Sequence, residues 1–206
     1  MTGSSCVSPE RAVFYRERND GLYRPITYIT AKMLDEIVLA LFSSIVFGAI
    51  VYAATDLQGD FAIFWAVYCG NLLVGVALAY CIAAVAPNLD AANAMLPAYA
   101  STLILFAGFM IRLDNIPDYY YWYTRINFVQ YGFSALLKNQ YDTDEGRQLK
   151  LRINRQDEES EELPMLEYYS IEDVDVSVNA VIIYAFFFGY FLLAFLAMQF
   201  CKHQKR

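Results

Sequence analysis

Few residues of this 206-residue chain have the type and spacing needed for chemistry on a bound substrate. The nearest match to a phosphate-binding loop is Gly70-Asn-Leu-Leu-Val-Gly75, but Val76 and Ala77 follow it. The lysine and the hydroxyl that hold phosphate and magnesium are therefore missing. His203 is the sole histidine, which excludes a histidine-rich metal site and argues against a His-dependent catalytic triad. We expect no catalytic, cofactor-binding or metal-binding residues, and no enzyme activity from this chain alone.

The residues that could act on a partner lie instead in a basic amphipathic segment near the N-terminus, ERAVFYRERNDGLY, residues 10–23. Charged side chains alternate there with bulky apolar ones, and the segment runs into the first long apolar stretch. One interpretation is a cationic flank that sits among lipid headgroups and fixes the orientation of the chain. The order of the residues indicates a second interpretation, which depends on the resemblance described below.

The rest of the chain has the composition of a membrane protein. Hydrophobic residues make up 58% and charged residues 18%, against about 45 to 50% and about 25% in ordinary soluble domains. Four stretches carry no charge: residues 37–54, 61–88, 91–111 and 176–201. Each is close to or above the length that a helix needs to cross a bilayer. The sequence predicts an all-α membrane protein with three transmembrane helices in residues 33–112 and a last one in 176–201.

The distribution of charge predicts the orientation of these helices. Bases exceed acids in the first 32 residues, and the tail at 202–206 is basic. By the positive-inside rule both termini are expected in the cytoplasm, which an even number of spans allows. Residues 1–9 are small and polar, and we expect them to be disordered. The net charge of -7 comes from one long loop, so nothing indicates nucleic-acid binding.

That loop, residues 113–175, has two parts. Residues 116–141 are densely aromatic, which favours re-entrant or interfacial helices. An aromatic belt that only anchors neighbouring spans would have the same composition. Residues 142–175 are acidic and polar, and we expect them to form a solvated external cap.

Several ordered motifs resemble one family. VFYRER in residues 13–18, PNLDAANAM in 87–95, LFAGFMIRLDNIP in 105–117 and YGFSALLKNQY in 131–141 are similar to the membrane domain of G-subfamily ATP-binding-cassette (ABC) transporters, including the pleiotropic-drug-resistance type. The resemblance implies a partial ABC-2, type V exporter-like helical bundle that carries the third to sixth of six spans. The first two spans and the ATP-binding domain would be absent. Val129 stands where the family often has proline, which puts the shape of the re-entrant turn in question.

The resemblance also implies roles for individual residues. The N-terminal segment matches the coupling helix that touches the ATP-binding domain, through Glu10, Phe14, Tyr15, Arg16, Glu17 and Arg18. A second set would lie along the substrate pathway: Arg24, Pro97, Ser101 and Ile104, with Phe109 and Met110 as the apolar plug below the exit. Ordinary helix packing or lipid contact is the alternative for the apolar members, and snorkelling to the membrane surface is the alternative for Arg24.

The function implied is part of an ATP-driven exporter of lipids, sterols or other hydrophobic compounds. The expected partners are membrane lipid, a nucleotide-binding domain, a second half-transporter in a homo- or heterodimer, and a hydrophobic substrate. ATP and magnesium would bind only to the missing domain. The plasma membrane is the expected location of this multi-pass chain. The alternative function is a truncated membrane or interaction protein, or a gene fragment, that does not transport.

Overall fold

The computed structural model describes Glu17, Asp20 and residues 24–142, 150–153 and 161–200. Most of this part of the chain is helical. The helices are α1 (Pro25–Thr55), α2 (Phe61–Val85), α3 (Leu89–Leu105), α4 (Tyr121–Arg125), α5 (Phe128–Tyr141), α6 (Met165–Tyr168) and α7 (Val176–Phe200). Two short 3-10 turns, Leu113–Asn115 and Asp118–Tyr120, precede α4. The predicted class, a partial helical membrane bundle, is confirmed.

Three of these helices are long and apolar enough to cross a membrane: Ile26–Thr55, Phe61–Val85 and Val176–Gln199. The remaining apolar run, residues 91–111, is helical only as far as Leu105. At 17 residues, α3 is about 25 Å long, the lower limit for a bilayer core about 30 Å thick. Its assignment as a fourth span stays a prediction.

Polar side chains fix where several helices begin. Oδ1 of Asp60 accepts a hydrogen bond from the backbone N–H of Ala62 (2.9 Å) at the start of α2. Asn88 caps α3 in the same way, and Asp175 caps α7. Helix N-termini leave backbone N–H groups without an intrahelical partner, and a side-chain oxygen at the cap position satisfies one of them. The apolar runs of α2, α3 and α7 therefore begin their helices at a short polar residue.

The chain divides into two compact units. The first comprises Met1–Ser43, Leu72–Ser101 and Tyr184–Arg206. In its described part, small side chains on α2, among them Ala77, Ala83 and Ala84, are buried, and Tyr80 is the largest fully buried side chain. Small residues let helices approach closely in a bilayer, where close packing holds them together. The hydroxyls of Tyr99 on α3 and Tyr190 on α7 lie 3.2 Å apart and share a hydrogen bond.

The second unit comprises Ser44–Asn71 and Thr102–Ile183. Its core mixes apolar residues such as Val67 and Ile183 with fully buried polar ones. Nε1 of Trp65 on α2 donates to Oγ of Ser44 on α1 (3.1 Å), which satisfies one of these buried groups. An aromatic ladder continues this packing, with the rings of Phe47 and Tyr68 stacked at 5.7 Å.

The acidic part of the long loop departs from the all-helical expectation. Strands β1 (Lys150–Ile153) and β2 (Glu161–Pro164) pair antiparallel, with Lys150 opposite Pro164 and Ile153 opposite Glu161. Helix α6 follows β2 directly. The sequence prediction missed this hairpin because it treated the charged segment by composition alone.

Candidate functional site

Arg24, the first predicted pathway residue, lies exposed immediately before α1. Its carbonyl accepts hydrogen bonds from the N–H groups of Thr27 (3.0 Å) and Tyr28 (3.4 Å). Pro25 takes the first helical position, where its missing N–H costs nothing and its fixed φ suits the helix. The backbone of Arg24 thus starts α1, and its side chain is exposed.

Pro97 and Ser101 lie exposed on α3. Pro97 has no N–H to donate within the helix, so it weakens the hydrogen-bond ladder at that turn. Oγ of Ser101 donates to the Pro97 carbonyl (2.8 Å), one turn earlier. Hydroxyl bonds of this kind satisfy the polar side chain inside a helix and often bend it. This part of α3 is therefore a place where the helix can flex.

Ile104, Phe109 and Met110 are 50%, 61% and 65% exposed. Between them the helix ends, because Gly108 has φ +93, a left-handed backbone conformation that favours glycine. The two predicted plug residues therefore lie on an irregular segment that follows α3. All six predicted pathway residues are thus exposed on this chain. The structure shows none of them enclosed in a cavity among the described residues.

Of the predicted coupling residues, the structure describes only Glu17, which is helical and half-buried. Glu10, Phe14, Tyr15, Arg16 and Arg18 lie outside the described residues. The coupling role of the segment stays a prediction.

Asn127 is a residue that the sequence prediction missed. Its side chain is completely buried, and it makes two hydrogen bonds in opposite directions. Nδ2 donates to the carbonyl of Leu103 in the last turn of α3 (2.7 Å), and Oδ1 accepts from the N–H of Val129 at the start of α5 (3.1 Å). The second bond uses the backbone N–H of Val129, which a proline at this position would lack. An asparagine directly before an apolar helical run is a cap signal that could have identified it.

Gly132 is a second missed residue. A Cβ at this position would overlap the Asn71 side chain, with Cγ of Asn71 only 2.7 Å away. Nδ2 of Asn71 also donates to the Val67 carbonyl on its own helix (3.0 Å). Glycine thus lets α5 pack directly on a polar group of α2, a close approach that the residue type alone allows.

A third feature is a clamp between the end of α5 and the turn that joins α1 to α2. Oε1 of Gln140 accepts from the N–H groups of Gln58 (3.1 Å) and Gly59 (3.4 Å). Oδ1 of Asn139 accepts from the N–H of Asp60 (3.2 Å), and its Nδ2 donates to the Asp60 carbonyl (3.1 Å). Two amide side chains thereby satisfy four backbone groups of this turn. We call this contact the turn clamp.

Two cavities lined by described residues of the second unit lie away from the predicted pathway residues. One, of about 330 Å³, is lined by Lys138, Tyr141, Asp142, Pro164, Met165, Leu166 and Glu172. The other, of about 90 Å³, lies beside the turn clamp and is lined by Tyr52, Leu57, Phe64, Leu136, Asn139 and Gln140. Neither contains a predicted pathway residue.

The segment around α6 includes a tyrosine whose pKa is shifted from its ordinary value. Burial raises the pKa of Tyr169 above its ordinary value, and the neighbouring phenols of Tyr168 and Tyr141 raise it further. Both causes disfavour the phenolate, since it would be poorly hydrated and would face other groups that can become anionic. Tyr169 is therefore a neutral ring over the physiological pH range.

Comparison with known proteins supports the resemblance seen in the sequence. Residues 1–141 match the family model described as ABC-2 type transporter. The chain is similar to the ABC transporter ATP-binding protein/permease wht-1 of Caenorhabditis elegans, with 30% identity over 144 residues, covering 66% of this chain and 21% of that protein. It is similar to ABC transporter G family member 43 of Arabidopsis thaliana, with 33% identity over 140 residues, covering 66% of this chain and 10% of that protein.

A third relative matches along nearly the whole chain. ABC transporter G family member 22 of Dictyostelium discoideum is 27% identical over 202 residues, covering 96% of this chain and 32% of that protein. The similarity therefore continues beyond residue 141 into the hairpin, α6 and α7. The chain spans a third or less of the length of each of these relatives.

Proposed function

The chain belongs to the ABC-2 type transporter family, and from that premise we propose that it forms part of the transmembrane domain of a G-type ABC exporter. Three helices long and apolar enough to cross a bilayer make it an integral membrane protein. ATP would be hydrolysed, with magnesium, by a nucleotide-binding domain outside these 206 residues. The cargo would be a lipid, a sterol or another hydrophobic compound.

The observation that carries this proposal is the exposure of all six pathway residues. Pro97, Ser101 and Ile104 recur at spacings of four and three, so they share one face of α3. An exposed face with one hydroxyl and no charge suits contact with apolar cargo. A second half-transporter, identical or different, would have to cover it to form a closed pathway. Phe109 and Met110, beyond the end of α3, would separate this pathway from the exit.

Orientation and coupling complete the proposal. Both termini would face the cytoplasm, with the loop at 113–175 outside, in the plasma membrane. The segment around Glu17 would contact the nucleotide-binding domain and transmit its closure to α1. Support for this comes from the family match, which includes the segment, and from the helical state of Glu17.

The pathway is tested by a bulky substitution in the full-length transporter. Ser101→Phe should change which hydrophobic compounds are exported, because it fills the proposed cargo face while ATP hydrolysis continues. Ser43→Phe, at an exposed serine of α1, is the matched control and should leave the cargo profile as it was. Identical export profiles for both variants and the parent would remove the assignment of the α3 face.

Coupling is tested separately by charge reversal. Glu17→Lys should leave ATP hydrolysis running while export falls, since the two would no longer be mechanically linked. Asp20→Lys makes the same charge change at an exposed position three residues further on. Export that is equally retained in both variants would exclude the coupling role of Glu17.

A further inference from the structure

Gly108, in the segment that follows α3, lies against α5. Gly108 is buried and has φ +93. A Cβ added at Gly108 would lie 3.6 Å from Cγ of Leu113 and 3.9 Å from the ring of Phe133 on α5. The backbone therefore turns at a point already in contact with α5. Phe109, the next residue, is brought over that helix.

Phe133 contacts two other rings. Its centroid is 5.9 Å from that of Phe109, with the planes at 74°. The centroid of the Tyr169 ring lies 5.6 Å from that of Phe133, with the planes at 81°. Both contacts are edge-to-face, the arrangement that aromatic quadrupoles favour. Phe133 thus links a predicted plug residue to the segment that follows α6.

A second contact runs in parallel with the first. Cζ of Arg112 lies 4.6 Å from the centroid of the Tyr168 ring, within the distance at which a guanidinium is attracted to an aromatic face. Tyr168 and Tyr169 are themselves edge-to-face at 5.0 Å. The segment that contains Phe109 and Arg112 therefore contacts Tyr168 directly through Arg112, and Tyr169 indirectly through Phe133.

The stretch that carries the two tyrosines makes further contacts, one of them with α5. Nζ of Lys138 on α5 donates to the carbonyl of Glu172. The N–H of Ile171 donates to the carbonyl of Leu166 (3.0 Å), and the Ile171 side chain is buried. The stretch from α6 to Glu172, which we call the external cap segment, is thus anchored to the helix that carries Phe133.

We propose that Phe133 is a positioning residue, through which the external cap segment sets the position of Phe109. The inference rests on the proposed function in one respect, which is that Phe109 forms the barrier before the exit. A displacement of Tyr169 would remove one of the two rings that hold Phe133 in place. Phe133 and Phe109 would then move together, and the barrier would change with the cap.

The test measures the surroundings of the barrier directly. Met110→Cys is introduced into the full-length transporter in detergent, and the rate at which a small thiol reagent labels the protein is measured. The rate for the same protein with Met110 intact is subtracted as the background from the other cysteines. Phe133→Ala and Tyr169→Ala should each raise this rate about two- to tenfold, the factor expected from losing one aromatic pair. Because both variants break the same chain of contacts, the double variant should react no faster than Phe133→Ala alone.

Matched variants separate positioning from general loosening. Tyr169→Phe keeps the ring and should restore the parental rate. Tyr119→Ala removes a tyrosine that is 71% exposed and contacts Tyr120, and it should have no effect. If Phe133→Ala fails to fold, Tyr169→Ala decides the question, because Tyr169 lies outside the spanning helices. An unchanged rate in Tyr169→Ala, or an equal rise in Tyr119→Ala, overturns the proposal.

The labelling result is independent of transport. If the rates shift as expected but the full-length transporter with Met110 intact exports no hydrophobic compound, positioning by Phe133 stands and the proposed function fails. If export is present but the rates do not shift, the proposed function stands and the positioning role of Phe133 fails.

Discussion

Nδ2 of Asn127 donates a 2.7 Å hydrogen bond to the backbone carbonyl of Leu103, 24 residues earlier in the chain. The last carbonyls of a helix have no partner within it, and Leu103 lies in the final turn of α3. With its Oδ1 on the N–H of Val129, the same amide also satisfies the start of α5. One buried side chain therefore joins the end of one helix to the beginning of another.

Asn127→Ala should destabilise the protein by about 2 to 4 kcal/mol, the sum of a lost N-cap and a buried carbonyl left without a partner. Thermal or chemical unfolding of the purified protein in detergent measures this loss in the free energy of unfolding. Asn115→Ala, at an exposed asparagine, is the control and should have little effect. Equal stability of both variants would show that the amide contributes nothing at this junction.

Asn127→Asp separates the two hydrogen bonds of that amide. The carboxylate can still accept from the N–H of Val129, but it has no hydrogen to donate to Leu103 and places negative charge against a carbonyl oxygen. A buried, unpaired charge is costly, so the loss of stability should equal or exceed that of Asn127→Ala. A stability close to that of the parent would mean that only the cap matters.

Gly132→Ala should cost about 1 to 3 kcal/mol, because its Cβ would overlap the Asn71 side chain and the two helices would have to move apart. Gly189→Ala is a control with the same chemistry, since a Cβ there meets nothing within 4 Å. Adding Asn71→Ala should recover part of the loss by removing the overlapping atoms. If the double variant were no more stable than Gly132→Ala, the close approach would not be the cause.

The two side chains of the turn clamp protect different backbone N–H groups, so they can be tested separately with Gln140→Ala and Asn139→Ala. The first removes the acceptor for Gln58 and Gly59, and the second removes the acceptor for Asp60. Each should cost about 1 to 3 kcal/mol locally, at about 0.5 to 1.5 kcal/mol per hydrogen bond. Hydrogen exchange of a peptide that covers the turn should accelerate accordingly. Asn93→Ala, at an exposed asparagine of α3, should leave that exchange rate unchanged.

The ring contact of Tyr169 should not change between about pH 6 and pH 9, because its phenol is neutral below the ordinary tyrosine pKa of about 10. Its folded-state pKa is raised, so its contribution to stability is fully present below the unfolded-state value and is lost as the pH rises through the folded one. The ultraviolet titration step that disappears in Tyr169→Phe should lie above that of a free tyrosine. A step below it would contradict the burial of this ring.

The sequence predicted the three long apolar helices α1, α2 and α7, because uncharged length is a local property. Asp60, Asn88 and Asp175 could likewise be identified as helix starts from their place before apolar runs. The end of α3 at Leu105 could not be identified from the sequence, because the residues after Leu105 are as apolar as those before it. There the backbone of Gly108 and a hydrogen bond from Asn127 decide the outcome.

The candidate site was predictable to a smaller extent. The motifs supplied the positions of the pathway residues through resemblance, but they did not indicate what each side chain touches. Phe133 contacts Tyr169, 36 positions later in the sequence, and Gly132 contacts Asn71, 61 positions earlier. Pairings of this separation depend on how the helices pack, which no local spacing reports.

The turn clamp also has a consequence for the order of assembly. Its hydrogen bonds join residues that are 79 to 82 positions apart, so they can form only after α5 has been synthesised. Helices α1 and α2 are joined by a short turn and can enter the bilayer as a hairpin well before that. The clamp then forms after insertion, when the end of α5 reaches a turn that is already in place. Variants that weaken it should slow the maturation of the newly made protein and leave its membrane insertion intact, which pulse labelling in cells can distinguish.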